Sequence, residues 1–134
     1  MGSQVDVPPP GFRLPNAQQI EQAILNSWGV FAKNALTALA GGGQAGATQL
    51  FYGMNRVTVV ATANDSVQLP AAVSGTVVYV KNADAADSMQ VFGKSGRTDT
   101  INGTAGNVGV AQAAGVTAAY ICMVDGAWDR LLSA

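Results

Sequence analysis

Histidine is absent from these 134 residues, and cysteine occurs once, at Cys122. Without histidine the chain lacks the commonest general base, the usual metal ligand and every Ser-His or Cys-His couple. One cysteine cannot close an internal disulfide, nor build a structural zinc site alone. Set inside "AAYICMV", it reads as a small buried hydrophobe. Charge is also scarce. Seven Lys/Arg and eight Asp/Glu make up 11% of the chain, for a net charge of −1, against about 25% in an ordinary soluble domain. The cations are scattered singly, which argues against nucleic acid as a partner, since that needs a basic patch. No apolar run approaches the roughly 20 residues of a membrane span. The opening "MGSQVDVPPPGF" lacks the charged and apolar regions of a signal peptide. Together these features point to synthesis in the cytoplasm, with no membrane partner.

What is present is a 49% share of hydrophobic residues, an ordinary amount for one domain with a real core. A near-neutral surface with few charges tends to associate, so much of it is expected to face other subunits. Residues 1–15 hold Pro8, Pro9, Pro10 and Pro15 and read as an extended arm. Its candidate contacts to a partner are Pro8, Pro9, Pro10, Phe12 and Leu14. Asn16 with Gln19 fits a capping box. From there Ile20, Ile24, Trp28, Phe31, Ala35 and Leu39 recur at spacings of four and three, which predicts one amphipathic helix over 16–41. Its candidate interface is Ile20, Ile24, Trp28, Phe31 and Leu39, with Trp28 docking on another subunit. The glycines Gly41 to Gly43 end it, and 42–55 reads as a Gly-rich joint and lead-in.

After the joint the period changes to two. Strands are expected at Arg56–Thr62, Ser66–Leu69, Thr76–Lys81, Met89–Gly93, Thr98–Ile101, Val108–Ala111, Thr117–Val124 and Trp128–Leu132. Turns rich in Gly, Asn and Asp separate them. This predicts a mainly β domain over 56–134, an antiparallel β-sandwich or barrel of about seven to eight strands. With no helices between strands, parallel βαβ units are not expected. The runs "TVVYV" and "AAYICMV" read as strands covered on both faces, with Trp128 packed inside.

No motif carries chemistry. "GGGQAG" has the spacing of a dinucleotide loop, but it follows a helix pattern instead of a strand. "GKS" at Gly93–Ser95 lacks the earlier glycine and the following helix of a phosphate loop. The carboxylates fall mostly in turns, where Asp caps its own backbone. "DAAD", from Asp84 to Asp87, lacks the dense oxygen ligands of a calcium loop. Asn64–Asp65–Ser66 and Asn102–Gly103–Thr104 fit the glycosylation sequon but read as turns. No catalytic, cofactor-binding or metal-binding residue is therefore assigned, and an enzyme is not expected.

The stretch "DSVQLPAAVSGTVVYVKNADAADSMQVFG", followed by "INGTAGNVGVAQAAGVTAAYICMVDGAWDRL", resembles a recurrent β-domain in small virion proteins of tailed bacteriophages. The shared pattern is a Leu-Pro before a Gly-led strand, "VKN", a strand ending in "VFG", the "ING" and "AAG" turns, an aromatic strand and a terminal Trp. It covers about half the chain. The resemblance implies a structural virion protein on the capsid surface, similar to capsid decoration (cement) proteins. It further implies a homotrimer, with the major capsid protein as partner and an extended N-terminal segment gripping the shell. The alternative is a head-fibre or tail component that recognises host glycan. That reading needs exposed aromatics, and of Tyr52, Tyr79 and Tyr120 the last two fall in the runs expected to be buried.

Overall fold

The computed structural model describes residues 16–21 and 31–133. The arm candidates Pro8, Pro9, Pro10, Phe12 and Leu14 lie outside the described residues, as do Ile24 and Trp28 of the expected helix. The helix start forms as its capping residues dictate. The Gln19 amide donates to Asn16 Oδ1 at 2.8 Å, and the Asn16 amide donates to Gln19 Oε1 at 3.0 Å. Helix is described over 17–21.

The expected helix does not run to 41. Residues Ala32–Thr37 are strand β1, so strands begin well before Arg56. Phe31, Ala35 and Leu39 match a helical stripe by spacing alone. Ala35 has φ 60, a left-handed conformation that no α-helix contains. Pairing with a neighbouring strand and burial of Leu36 in the core override the weak helical preference of "AKNALT".

The remaining strands are β2 (Thr48–Gln49), β3 (Gly53–Val59), β4 (Ser66–Gln68), β5 (Val77–Asn82) and β6 (Met89–Phe92). They are followed by β7 (Thr100–Ile101), β8 (Thr104–Ala105), β9 (Val110–Gln112), β10 (Thr117–Val124) and β11 (Ala127–Leu132). Two sheets result. The larger has seven strands in the order β1-β3-β5-β10-β11-β7-β8, and the smaller has the order β2-β4-β6-β9.

The expected antiparallel sandwich or barrel is overturned by the first half of the chain. From β1 to β6 successive strands alternate between the two sheets, so neighbours within a sheet are parallel. The chain winds like a solenoid. The crossover that parallel pairing requires is made by a strand in the opposite sheet, not by a helix. Register partners such as Thr48 with Val67 and Gly53 with Val78 lie about 20–25 residues apart, a solenoid-like spacing. Between strands, antiparallel pairing enters only after β6, where β11 and β7 still pair in parallel. β10 pairs β5 and β11 in that sense, β9 pairs β6, and β7 pairs β8.

The core lies between the sheets. Val57, Val78, Val80, Tyr120, Cys122 and Trp128 come from the larger sheet, and Val67, Met89 and Val91 from the smaller. Trp128 is fully buried, as its place after the "DG" turn suggested. The strands β5 and β10, expected to be covered on both faces, are covered on one. Val78 and Val80 are buried while Tyr79 is exposed, and Ala118, Tyr120 and Cys122 are buried while Met123 is exposed. The strand buried on both faces is β4.

A buried polar network pins the two sheets together. Gln112 on β9 donates to the carbonyls of Val80 and Val116, both at 2.9 Å, and accepts the Tyr120 hydroxyl at 2.9 Å. Asn82 donates to the carbonyls of Gln112 and Asp87. Satisfied groups of this kind fix a unique arrangement, because any shift of register leaves them unpaired.

Candidate functional site

The outer face of the seven-stranded sheet carries the molecule's most organised exposed surface. Side chains alternate along each strand, so the register defines rows across the sheet. One row runs Ala32, Met54, Tyr79, Ala119, Leu131 over five adjacent strands. It is entirely apolar apart from the tyrosine hydroxyl. Met54 is 47% exposed, Tyr79 43% and Leu131 64%. The next row is Arg56, Lys81 and Thr117. On the other side stand Val77, Ile121 and Asp129.

Between the apolar and basic rows lies a groove of about 430 Å³, lined from β1, β3, β5 and β10. Met54 and Tyr79 supply apolar surface, and Lys33, Arg56 and Lys81 supply three of the chain's seven cations. Among the described residues no carboxylate lines it. Arg56 Nη1 donates to Asn34 Oδ1 at 3.2 Å, and Lys81 Nζ donates to the Gly115 carbonyl at 2.6 Å. Both partners are neutral. Among the described residues the only ion pair is Arg97 with Asp99, at 2.8 Å.

Of the expected helix interface, Ile24 and Trp28 lie outside the described residues, and Ile20, Phe31 and Leu39 stand on three different segments. Ile20 is exposed on the short helix. Phe31 precedes β1 and packs edge-on against Phe51, with ring centroids 6.1 Å apart. Leu39 is half-buried and its backbone bridges to Ser66. Phe31 and Phe51 both remain exposed.

The tyrosines separate by environment. Tyr79 stands in the groove, although its run was expected to be buried. Tyr52 is exposed and its hydroxyl donates to the Ala71 carbonyl at 2.7 Å. Tyr120 is buried, and that burial pushes its pKa up to about 12 against a partial pull from Arg130. Burial likewise raises the Cys122 thiol, which donates to the Val124 carbonyl. A thiol held protonated in the core is inert.

The motif-like stretches are turns. Asp84 accepts from the amides of Asp87, Ala86 and Val60, which lowers its carboxyl from the ordinary value. Asp65 is lowered chiefly by the Thr62 hydroxyl, with the Thr62 and Gly41 amides adding to it. Asp65 thereby ties the start of "GGGQAG" to the turn before β4. Lys94 of "GKS" donates to Gln49 Oε1, and the Ser95 amide donates to Gln68 Oε1. Asn64 and Asn102, the two sequon asparagines, have positive φ of 75 and 48, as turn residues do. Asn102–Gly103 forms the two-residue connection between β7 and β8.

Sequence reasoning missed the groove because its residues come from four strands whose parallel register was not anticipated. The one available signal was the exposure pattern of a period-two strand, with Tyr79 and Lys81 both on the face opposite Val78 and Val80. No family model, no curated protein and no solved structure matches the chain.

Proposed function

We propose that this protein is a structural component of a tailed-phage virion, a decoration (cement) protein that binds the outside of the capsid and stabilises it as an oligomer, with a homotrimer as the favoured form. The observation that carries the reading is the outer face of the seven-stranded sheet. Its apolar row spans five strands and stays exposed in a chain with only 11% charged residues. An isolated monomer gains nothing from such a row. A subunit that covers it against copies of itself or a shell does. The phage-like pattern of turns from Asp65 to Trp128 supplies the setting, with the major capsid protein as partner and the capsid surface as location.

The test is addition of purified protein to particles that lack it. Saturable binding, together with a rise in the temperature at which the particles release their contents, is the expected result. No binding at micromolar concentration would refute the reading. A second reading, a head-fibre or tail component that recognises host glycan, draws on the exposure of Tyr79 beside the groove. It predicts binding to isolated host polysaccharide that Tyr79→Ser abolishes.

A further inference from the structure

We infer that the groove on the seven-stranded sheet receives the N-terminal segment around Val5–Asp6–Val7 of a second copy of this chain. The inference rests on the self-association part of the proposed function and does not require a capsid. It begins from an electrostatic conflict. Arg56 and Lys81 are register partners on adjacent strands and share the outer face. Like charges directly opposite one another in a sheet are unfavourable. Lys33 adds a third positive charge to the same groove, and among the described residues no carboxylate forms an ion pair with any of the three. Such a site is complementary to an anion carried on apolar surface, since Met54, Tyr79 and Ala32 line the same groove beside the cations.

The chain itself contains one candidate of that chemistry. Asp65, Asp84 and Asp125 accept backbone amides, and Asp99 pairs with Arg97. Asp129 lies in the row beyond the apolar one, Glu21 stands between Ile20 and Gln22, and Asp87 between Ala86 and Ser88. Asp6 is the only carboxylate set between two large aliphatic residues, Val5 and Val7. The dimensions agree. From β1 to β10 the groove crosses three interstrand steps, roughly 14 Å, which an extended segment of four or five residues covers at about 3.4 Å each. Pro8, Pro9 and Pro10 follow directly, and they lower the entropy lost when the segment orders. A near-neutral surface favours a second copy as the source. Repeating the same exchange from copy to copy can close a ring.

Light scattering and chain mixing test this. The parent should be oligomeric at micromolar concentration. Asp6→Lys should weaken self-association about tenfold or more while leaving the unfolding midpoint unchanged at concentrations dilute enough for both proteins to be monomeric. Combining Asp6→Lys with Arg56→Asp and Lys81→Asp should restore it. Asp6→Cys and Lys81→Cys placed on separate chains, each with Cys122→Ala, should form an interchain disulfide when mixed and oxidised. Self-association of Asp6→Lys equal to the parent's would overturn the inference. So would a monomeric parent, or a disulfide that forms only when both cysteines are on one chain. Failure of the parent to bind particles would sink the capsid role and leave this assembly standing. A parent that binds particles as a monomer would do the reverse.

Discussion

The two faces of the seven-stranded sheet are built from the same strands and do opposite things. On β5 and β10 the inward residues Val78, Val80, Ala118, Tyr120 and Cys122 are almost wholly buried. The outward residues Tyr79, Lys81, Thr117 and Ala119 form the groove and its margin. On the inner face the Tyr120 hydroxyl is closed by Gln112 of the facing sheet. The outer face leaves two cations opposite one another. Stability should therefore respond to the inner face and association to the outer one.

The sharpest separation should come from Trp128→Ala. Trp128 is among the largest fully buried side chains, and removing a buried tryptophan costs about 3–5 kcal/mol. Urea unfolding should show a loss of that size, a large fraction of the stability of an ordinary domain.

Alkali attacks the inner face next. Tyr120 has a folded pKa of about 12 against an ordinary 10.0. Its contribution to stability is fully present below pH about 10 and is lost as pH rises toward 12, a change of about 3 kcal/mol. Urea titrations across that window should show the decline. Tyr120→Phe should flatten its slope, although its stability at pH 7 falls because Gln112 loses a partner.

Gln112→Ala probes the same face more gently. It strands the Tyr120 hydroxyl and the Val80 carbonyl in the core. A loss of about 1–3 kcal/mol is expected, read as a lower urea midpoint with an unchanged slope.

The smallest effect on stability should come from the outer face. Tyr79→Ser should shift stability by only about 0.5 kcal/mol, yet reduce the mass measured by light scattering. A Tyr79→Ser protein that is strongly destabilised but associates normally would erase the distinction between the faces.

The two halves of the chain differ in how much could be read from them. Beyond β6, Thr117–Val124 was placed residue for residue, and the Asn102–Gly103 and Asp125–Gly126 turns were anticipated, because short-range turn chemistry fixes antiparallel neighbours. Up to β6 the strands Ser66–Gln68, Val77–Asn82 and Met89–Phe92 lie almost where expected while their partners do not. Parallel pairing joins residues about 20–25 positions apart, and no local signal marks it. β1 was misread outright. Its register shifts and the left-handed Ala35 leave no period-two pattern to detect.

The sequence by itself determined where most strands after Arg56 lie, the burial of Cys122, the turn asparagines and the poverty of charge. These depend on residue type and near neighbours. Only the tertiary structure decided that Lys33, Arg56 and Lys81, scattered singly along the chain, share one groove. They meet because β1, β3 and β5 lie side by side, and that order follows from how the coils stack, not from any interaction between residues close in sequence.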